Sequence, residues 1–576
     1  MDKNFIIAIL LSTLIIIIFA SPQYQKMFGK NVTTVPGAEQ AISDSLKTRE
    51  TMRSGEPVFP ERSDVKTDSD VMSIPDMSKE KQTVGEIVQI NRPPAAEDIT
   101  LENDDMKVQI STKGGVITRV LLKKYNGKMP DEPVQILTEG ESWYAGSITE
   151  SDKNILFSDL IFAQKTVSEN HAEITAELPG NKTITIDYSL DSNGYILKTH
   201  LDLSGNWNNP AAYFTWHGPI NQTEKPFKMI RIWPFSMFMG DETNTFNKLV
   251  YLGQGERNIT DSNGKEKVKR IYSNEGSQKI EVKKRGEEQD YFIGDLDWFA
   301  VRNKYFMTAA IPKEKMRWQA ISRSSNTGLE KWFDFTLIKK ISDGNTDIDI
   351  YMGPMSYDII REYGRNLTEA MELSFRFIRP LSIGFLWMIK KLHSFIPNWG
   401  LVIILFSLII KVILYPLSKT SYDSMSKMSK LQPQINELKS KYKNNTQMLH
   451  KATMELYKKE GVNPFSGCLP TLLQMPVFFA LYPVVGRAFE LRQAMFIPHW
   501  IEDLSLPDPY YILPVAMGIS MFFQSRTTMK DPNQKPMLYI MPVMMVILFA
   551  NFSSGLTLYW FLFNITSYLQ QKLHHS

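Results

Sequence analysis

Apolar residues follow four successive patterns along the chain, and each pattern predicts a different kind of element. Residues 1–20 hold an uncharged apolar run that starts at Phe5 behind Met1-Asp2-Lys3-Asn4. Its length lies between a signal-peptide core and a full helical span, for which about 17–25 residues are usual. We read it as an uncleaved signal-anchor with its N-terminus in the cytoplasm, because Lys3 precedes it and Ile18-Phe19-Ala20 fits a cleavage site poorly. A removed signal peptide is the alternative. Residues 21–95 are rich in Ser, Thr, Pro and charged side chains. They bury too little apolar surface to offset ordering entropy and are expected to form a flexible extracytoplasmic linker.

Between residues 96 and 357 the period becomes two. Lys107-Val108-Gln109-Ile110, Gly115 to Leu121, Thr183 to Tyr188 and Tyr195 to Leu201 alternate, and Ser192-Asn193-Gly194 and Ser262-Asn263-Gly264 punctuate them. Many short alternating runs over such a length predict a large antiparallel β-sandwich. Residues 358–397 change to helical spacing, with Leu367, Met371, Phe375 and Ile378 in phase and Trp387, Lys390 and Lys391 following. Aromatic and basic residues directly before a membrane segment predict an amphipathic helix lying in the interface, divided at Pro380. An ordinary helix packed on the sandwich would show the same spacing.

Five further apolar segments follow at 398–417, 467–487, 510–524, 537–551 and 555–571. Several are shorter than the roughly 20 residues of a straight span, which suggests a locally thinned bilayer or contributing flanks. Pro470, Pro476, Pro483, Pro514 and Pro542 are tolerable there, since neighbouring helices can satisfy the freed carbonyls. The loops test the topology. Residues 418–466 carry Lys419, Lys427, Lys430, Lys439, Lys441, Lys443, Lys451, Lys458 and Lys459 against four acids. The next loop holds Arg487 and Arg492 against Glu490, Glu502, Asp503 and Asp508, whereas 525–536 is basic again and 552–554 is uncharged. Positive loops thus alternate with non-positive ones, as six spans with both termini in the cytoplasm require. The expected fold is mixed: an α-helical integral membrane bundle of six spans joined to a large β-sandwich outside the cytoplasm.

Composition narrows the function. A formal charge of +3 from 65 basic and 62 acidic residues argues against a dedicated nucleic-acid binder. Cys468 is the one cysteine, so no intramolecular disulfide staples the β-domain. No Gly-rich phosphate loop ending in Gly-Lys-Ser/Thr occurs, and the 8 histidines are scattered without metal-ligand spacing. The chain is therefore not expected to be an enzyme, and neither a cofactor nor a metal is expected.

Lys411 carries the most chemical information, because it interrupts the apolar run Leu401 to Tyr415. A lysine facing lipid near a helix centre costs on the order of 2.5–3.5 kcal/mol, which favours a polar cavity, and Ser407 lies one turn earlier on the same face. Snorkelling to the cytoplasmic end is the alternative. In the loop 418–466, Met425, Met428, Leu431, Ile435, Leu438 and Tyr442 repeat at three- and four-residue intervals. After Asn444-Asn445, Leu449, Ala452 and Leu456 repeat likewise. This predicts a helical hairpin, its first arm kinked at Pro433, with a lysine-covered exterior. That exterior is either a solvated face or a landing surface for phosphate-rich RNA or anionic lipid.

Several of these segments resemble the YidC family of bacterial membrane-protein insertases. The matching stretches are Lys411 to Leu417, Met425 to Gln434, Val462-Asn463-Pro464, Gly467-Cys468-Leu469-Pro470 and Leu473 to Phe478. Glu490-Leu491-Arg492, Asp508 to Pro514 and Ser554-Gly555-Leu556 continue the series. The N-terminal anchor and the large β-domain look like the Gram-negative form, and Gly294 to Phe299 with Tyr305-Phe306 resembles a recurring structural stretch of that domain. The resemblance implies an inner-membrane insertase, with the β-domain in the periplasm and a hydrophilic groove open to cytoplasm and lipid. Lys411 would supply the groove charge, where the family normally has arginine, and Ser407 and Gln474 its polar lining. Met475, Phe478, Tyr559 and Trp560 would form an apolar slide, with Trp560 standing where close homologues carry tyrosine. Each of these four is also an ordinary membrane-packing residue. Tyr415, Tyr422, Lys427 and Lys430 would face the ribosome. Nascent membrane proteins, Sec translocon subunits, the ribosome and the lipid bilayer are the implied partners. A secondary transporter or channel is the alternative function, since it too would explain a buried charge and broken helices.

Overall fold

The computed structural model describes residues 96–575 apart from internal stretches, of which the longest is 224–247. The anchor 1–20, the linker 21–95, Ser262-Asn263-Gly264, Val462-Asn463-Pro464 and Gly467-Cys468 lie outside the described residues.

Nineteen described strands between Asp98 and Pro354 form one antiparallel sheet that forks at its longest member. Strand Gly286–Arg302 pairs along one edge with Lys248–Thr260. Its other edge divides, the first part pairing with Arg317–Asn326 and the last with Phe306–Pro312. One branch then runs through Lys331–Lys340, Ala211–His217 and Trp143–Glu150. The other runs through Asn345–Pro354, Ile196–Ser204 and Lys182–Leu190. The branches face each other, so that the Tyr144 and Thr308 hydroxyls meet at 2.9 Å and the Tyr188 hydroxyl donates to the Gly115 carbonyl at 2.7 Å. The result is a β-sandwich.

Alternation explains most strands, since Met106–Ser111 and Lys182–Leu190 bury every second side chain. Trp216, Trp298, Trp318, Tyr251, Phe292 and Phe299 are fully buried. Leu296, Trp298 and Phe299 of the stretch Gly294 to Phe299 are thus core while Asp295 is exposed, and its glycine has a steric reason. Gly294 pairs with Gly255 across the strands. A Cβ on Gly294 would lie 2.1 Å from the Gln254 carbonyl oxygen, and one on Gly255 would lie 2.0 Å from that of Ile293. Only glycine lets two backbones approach this closely.

The helical part begins at α1 (Tyr357–Glu362) and α2 (Arg379–His393). The amphipathic stretch 358–397 is therefore not one interfacial helix with a division at Pro380. Arg365, Asn366, Glu372 and Ser374 have φ of 49°, 53°, 51° and 117°, which breaks the chain well before Pro380. Leu367 and Met371 belong to a short 3₁₀ turn that packs into the β-domain core. Pro380 sits in the first turn of α2, where its missing N–H is harmless. The apolar face of α2 (Phe385, Leu386, Ile389) is buried, while Trp387 is exposed.

There follow α3 (Trp399–Ile413), α4 (Tyr415–Lys430), α5 (Gln432–Lys441) and α6 (Thr446–Lys459). The set is completed by α7 (Leu469–Arg487), α8 (Ile512–Thr528), α9 (Lys535–Phe549) and α10 (Ser554–His575). The first arm is interrupted at Leu431, two residues before Pro433, which has no N–H to give the preceding turn and sits in the first turn of α5. Leu431 and Ile435 are buried against Met428, Leu456 and Tyr457, which closes the seam between α5 and α6. Among the described residues no helix is both long and apolar enough to cross a membrane. Helices α3, α8 and α9 have 15, 17 and 15 residues, or about 22–26 Å of rise against a hydrocarbon core of about 30 Å.

Candidate functional site

Lys411 lies in the last turn of α3 and is only 4% exposed. Its side chain crosses to α10, where Nζ donates to Ser567 Oγ at 2.6 Å and stands 4.1 Å from the centre of the Phe563 ring. Among the described residues no carboxylate lies within ion-pair distance of it. Ser407 is buried one turn earlier, but its hydroxyl donates to the Ile403 carbonyl at 2.6 Å rather than toward the lysine.

Helix α10 supplies the polar groups that sequence reading passed over. Thr557, Asn564, Ser567 and Gln571 are all buried and recur at intervals of seven, three and four, which places them on one face. Asn564 donates to the Met517 carbonyl of α8 at 3.4 Å, and the Thr527 hydroxyl donates to Gln571. Ser520 and Ser525 of α8 are buried as well. That spacing was the available signal, and no single residue of the set stands out alone.

Gln474, near the start of α7, is 2% exposed. Its amide nitrogen donates to the Tyr559 hydroxyl at 2.7 Å, while its Oε1 is buried with no hydrogen-bond partner. A buried carbonyl left without a donor is expensive, so this oxygen is a ready acceptor for a polar group that enters.

The structure divides the four candidate slide residues. Phe478 and Trp560 are half-buried and meet edge to face at 5.4 Å, and the Phe549 ring lies 5.4 Å from the Trp560 ring. Tyr559 is instead fully buried, 6.2 Å from Phe406. Met475 is half-buried on α7. On α4, Tyr415, Lys427 and Lys430 are exposed, and the side chain of Tyr422 lies outside the described residues. Among the described residues no group of three or more His, Cys, Asp or Glu side chains is arranged to hold a metal ion.

The far end of α7 is fixed to the β-domain by Phe489-Glu490-Leu491-Arg492. Phe489 inserts among Tyr125, Phe306 and Tyr305, with ring centres at 4.9, 5.5 and 6.4 Å. Glu490 accepts from Ser356 Oγ and Lys390 Nζ, both at 3.3 Å. Burial works against the Lys390 charge, but Asp358 and Glu490 outweigh it and hold the ammonium above the ordinary lysine range. Arg492 donates to the Asn126 carbonyl at 2.5 Å and lies over the Phe306 ring at 5.2 Å. Asp508 accepts from the Tyr510 and Leu513 N–H groups at 3.0 and 2.6 Å and so caps the entry to α8. The motif at 490–492 therefore has structural work at this joint, and that at 508–514 has it at the entry to α8.

Residues 98–388 match the family described as "YidC periplasmic domain", and residues 391–576 match "60Kd inner membrane protein". A Francisella philomiragia protein named "Membrane protein insertase YidC" is 32% identical over 493 residues, which cover 83% of this chain and 84% of that protein. A Geotalea daltonii protein of the same name is 32% identical over 491 residues, covering 83% and 86%. A solved structure described as an active YidC insertase covers 84% of this chain and 94% of its own at 18% identity. Its TM-score of 0.34 is too low for the superposition to carry an argument.

Proposed function

The chain belongs to the YidC family of membrane protein insertases, and on that premise we propose that Lys411 is the charge that draws the polar segment of a client into the membrane. Family membership makes the protein an inner-membrane insertase with a periplasmic β-sandwich, not an enzyme, and it displaces the transporter reading. Its clients are nascent membrane proteins and its medium is the lipid bilayer. The observation that carries the proposal is a buried ammonium with no carboxylate partner among the described residues. Such a charge is expensive in a low-dielectric interior. A client's acidic segment supplies the missing counter-charge, and the open Oε1 of Gln474 offers an acceptor to the client backbone.

In this reading the segments 1–20, 398–417, 467–487, 510–524, 537–551 and 555–571 form six spans, with N- and C-termini in the cytoplasm. Residues 96–357 are periplasmic, and the short helices α3, α8 and α9 sit in a thinned bilayer. The polar face of α10, with Ser407 and Gln474, lines a groove, while Met475, Phe478, Tyr559 and Trp560 guide the apolar part of the client. Once the polar segment has crossed, burial of the client helix and the membrane potential drive the rest, with no nucleotide hydrolysis and no cofactor. The basic exterior of 418–466, including Tyr415 at its edge, Tyr422, Lys427 and Lys430, receives the ribosome. Sec translocon subunits are the membrane partner in this reading.

Crosslinking to stalled nascent chains tests the route. Photoreactive residues in place of Phe478 and Trp560, and an amine-specific crosslinker at Lys411, should all capture the client helix as it enters. Normal insertion with no capture at Phe478 or Trp560 would overturn the assignment of the slide.

A further inference from the structure

Lys411 is followed directly by Val412 and Ile413, which are 72% and 59% exposed. A lysine in the last turn of a helix would ordinarily extend past such neighbours toward the nearest water, since its four-carbon stem is flexible. Here it turns inward instead. Two side chains of α10, Ser567 and Phe563, meet its ammonium from one helical turn apart. The hydroxyl accepts one of its three N–H donors and the ring presents its negative face to the charge. No carboxylate among the described residues competes for it, so two donors remain for a ligand.

We infer that Ser567 and Phe563 are positioning residues that clasp the Lys411 ammonium and keep it inside the helix cluster, pointed at α10, where an acidic client segment meets it. The inference rests on the reading of Lys411 as the client-facing charge and adds how that charge is placed. Helix α10 also carries Tyr559 and Trp560, so the clasp ties the charge to the helix that meets the apolar part of the client. Without the clasp the side chain relaxes toward the exposed end of α3. The protein keeps its charge but no longer holds it where the client needs it.

The test compares two clients that differ only in their translocated tail, one acidic and one with the acids changed to amides. Full-length Lys411→Ala, Ser567→Ala, Ser567→Thr and Phe563→Leu are expressed in cells depleted of the wild-type protein. Tail translocation is read by protease protection, at matched membrane abundance. The hydrogen bond of a charged group corresponds to about tenfold in an equilibrium, so Ser567→Ala should lower the acidic-to-amide insertion ratio about tenfold. Ser567→Thr, which keeps the hydroxyl, should restore the ratio to within about twofold. Phe563→Leu probes the same clasp from the ring side, and should lower the ratio should Ser567→Ala fail to accumulate. Equal losses for both clients would make Ser567 merely structural and overturn the inference. An unchanged ratio in Ser567→Ala and Phe563→Leu, beside a collapsed ratio in Lys411→Ala, would overturn the clasp and leave the function standing. A normal ratio in Lys411→Ala would overturn the function itself.

Discussion

Lys411→Ala should lower insertion of clients whose translocated segment is acidic at least tenfold, while Lys411→Arg retains it. The ammonium is buried and lacks a counter-charge among the described residues, so its field is poorly screened. At about 4 Å and an effective dielectric of about 20, a carboxylate gains about 4 kcal/mol from such a cation, which is roughly a thousandfold in an equilibrium. Competing solvation of the client will reduce this, and a loss of at least tenfold is expected. Arginine keeps the charge and can donate to the Ser567 hydroxyl, although its planar fork fills the space differently. Protease protection of the client tail is the measurement. If the alanine variant protected acidic tails as well as the wild type does, the charge would be incidental.

The second large effect concerns the joint between the β-domain and the helices. Phe489→Ala should loosen that joint while both parts stay folded. The ring touches Tyr125, Phe306 and Tyr305 of the β-domain, and removing a buried Phe ring costs about 3–5 kcal/mol. Phe489 is only half-buried, so about 2–3 kcal/mol is the appropriate share. Hydrogen–deuterium exchange should then rise at Tyr125 to Gly127 and at Asn303 to Phe306, the segments that receive Phe489 and Arg492. Exchange in the core strand Lys182–Leu190 should stay as it was. Unchanged exchange at the receiving segments would show that Arg492 and Glu490 hold the joint without the ring.

Most of the β-domain was legible in the chain because one face of each strand is buried, which imposes a period of two on residues such as those of Lys182–Leu190. Lys411 was legible for the opposite reason, as a polar residue in an apolar run. The polar face of α10 was harder to see. Thr557, Asn564, Ser567 and Gln571 gain meaning only once α10 lies beside α3, and Lys411 and Ser567 are 156 positions apart. The same holds for Glu490-Leu491-Arg492, whose arginine reaches the Asn126 carbonyl 366 residues earlier. A motif of that kind announces that it matters without saying what it touches. The stretch 358–397 failed differently. Leu367 and Met371 fit a helical period, yet left-handed residues at Arg365, Asn366 and Glu372 redirect the chain, and spacing alone cannot register a change in φ.

The ammonium of Lys411, with no counter-charge among the described residues, also bears on stability. A folded state that buries a cation without its counter-charge is raised in free energy by that omission. A client that supplies the carboxylate binds this state and not the unfolded chain, so it acts as a stabilising ligand. On the proposed role of Lys411 the empty insertase should be the more fragile form, with a melting temperature that rises as cargo occupies it.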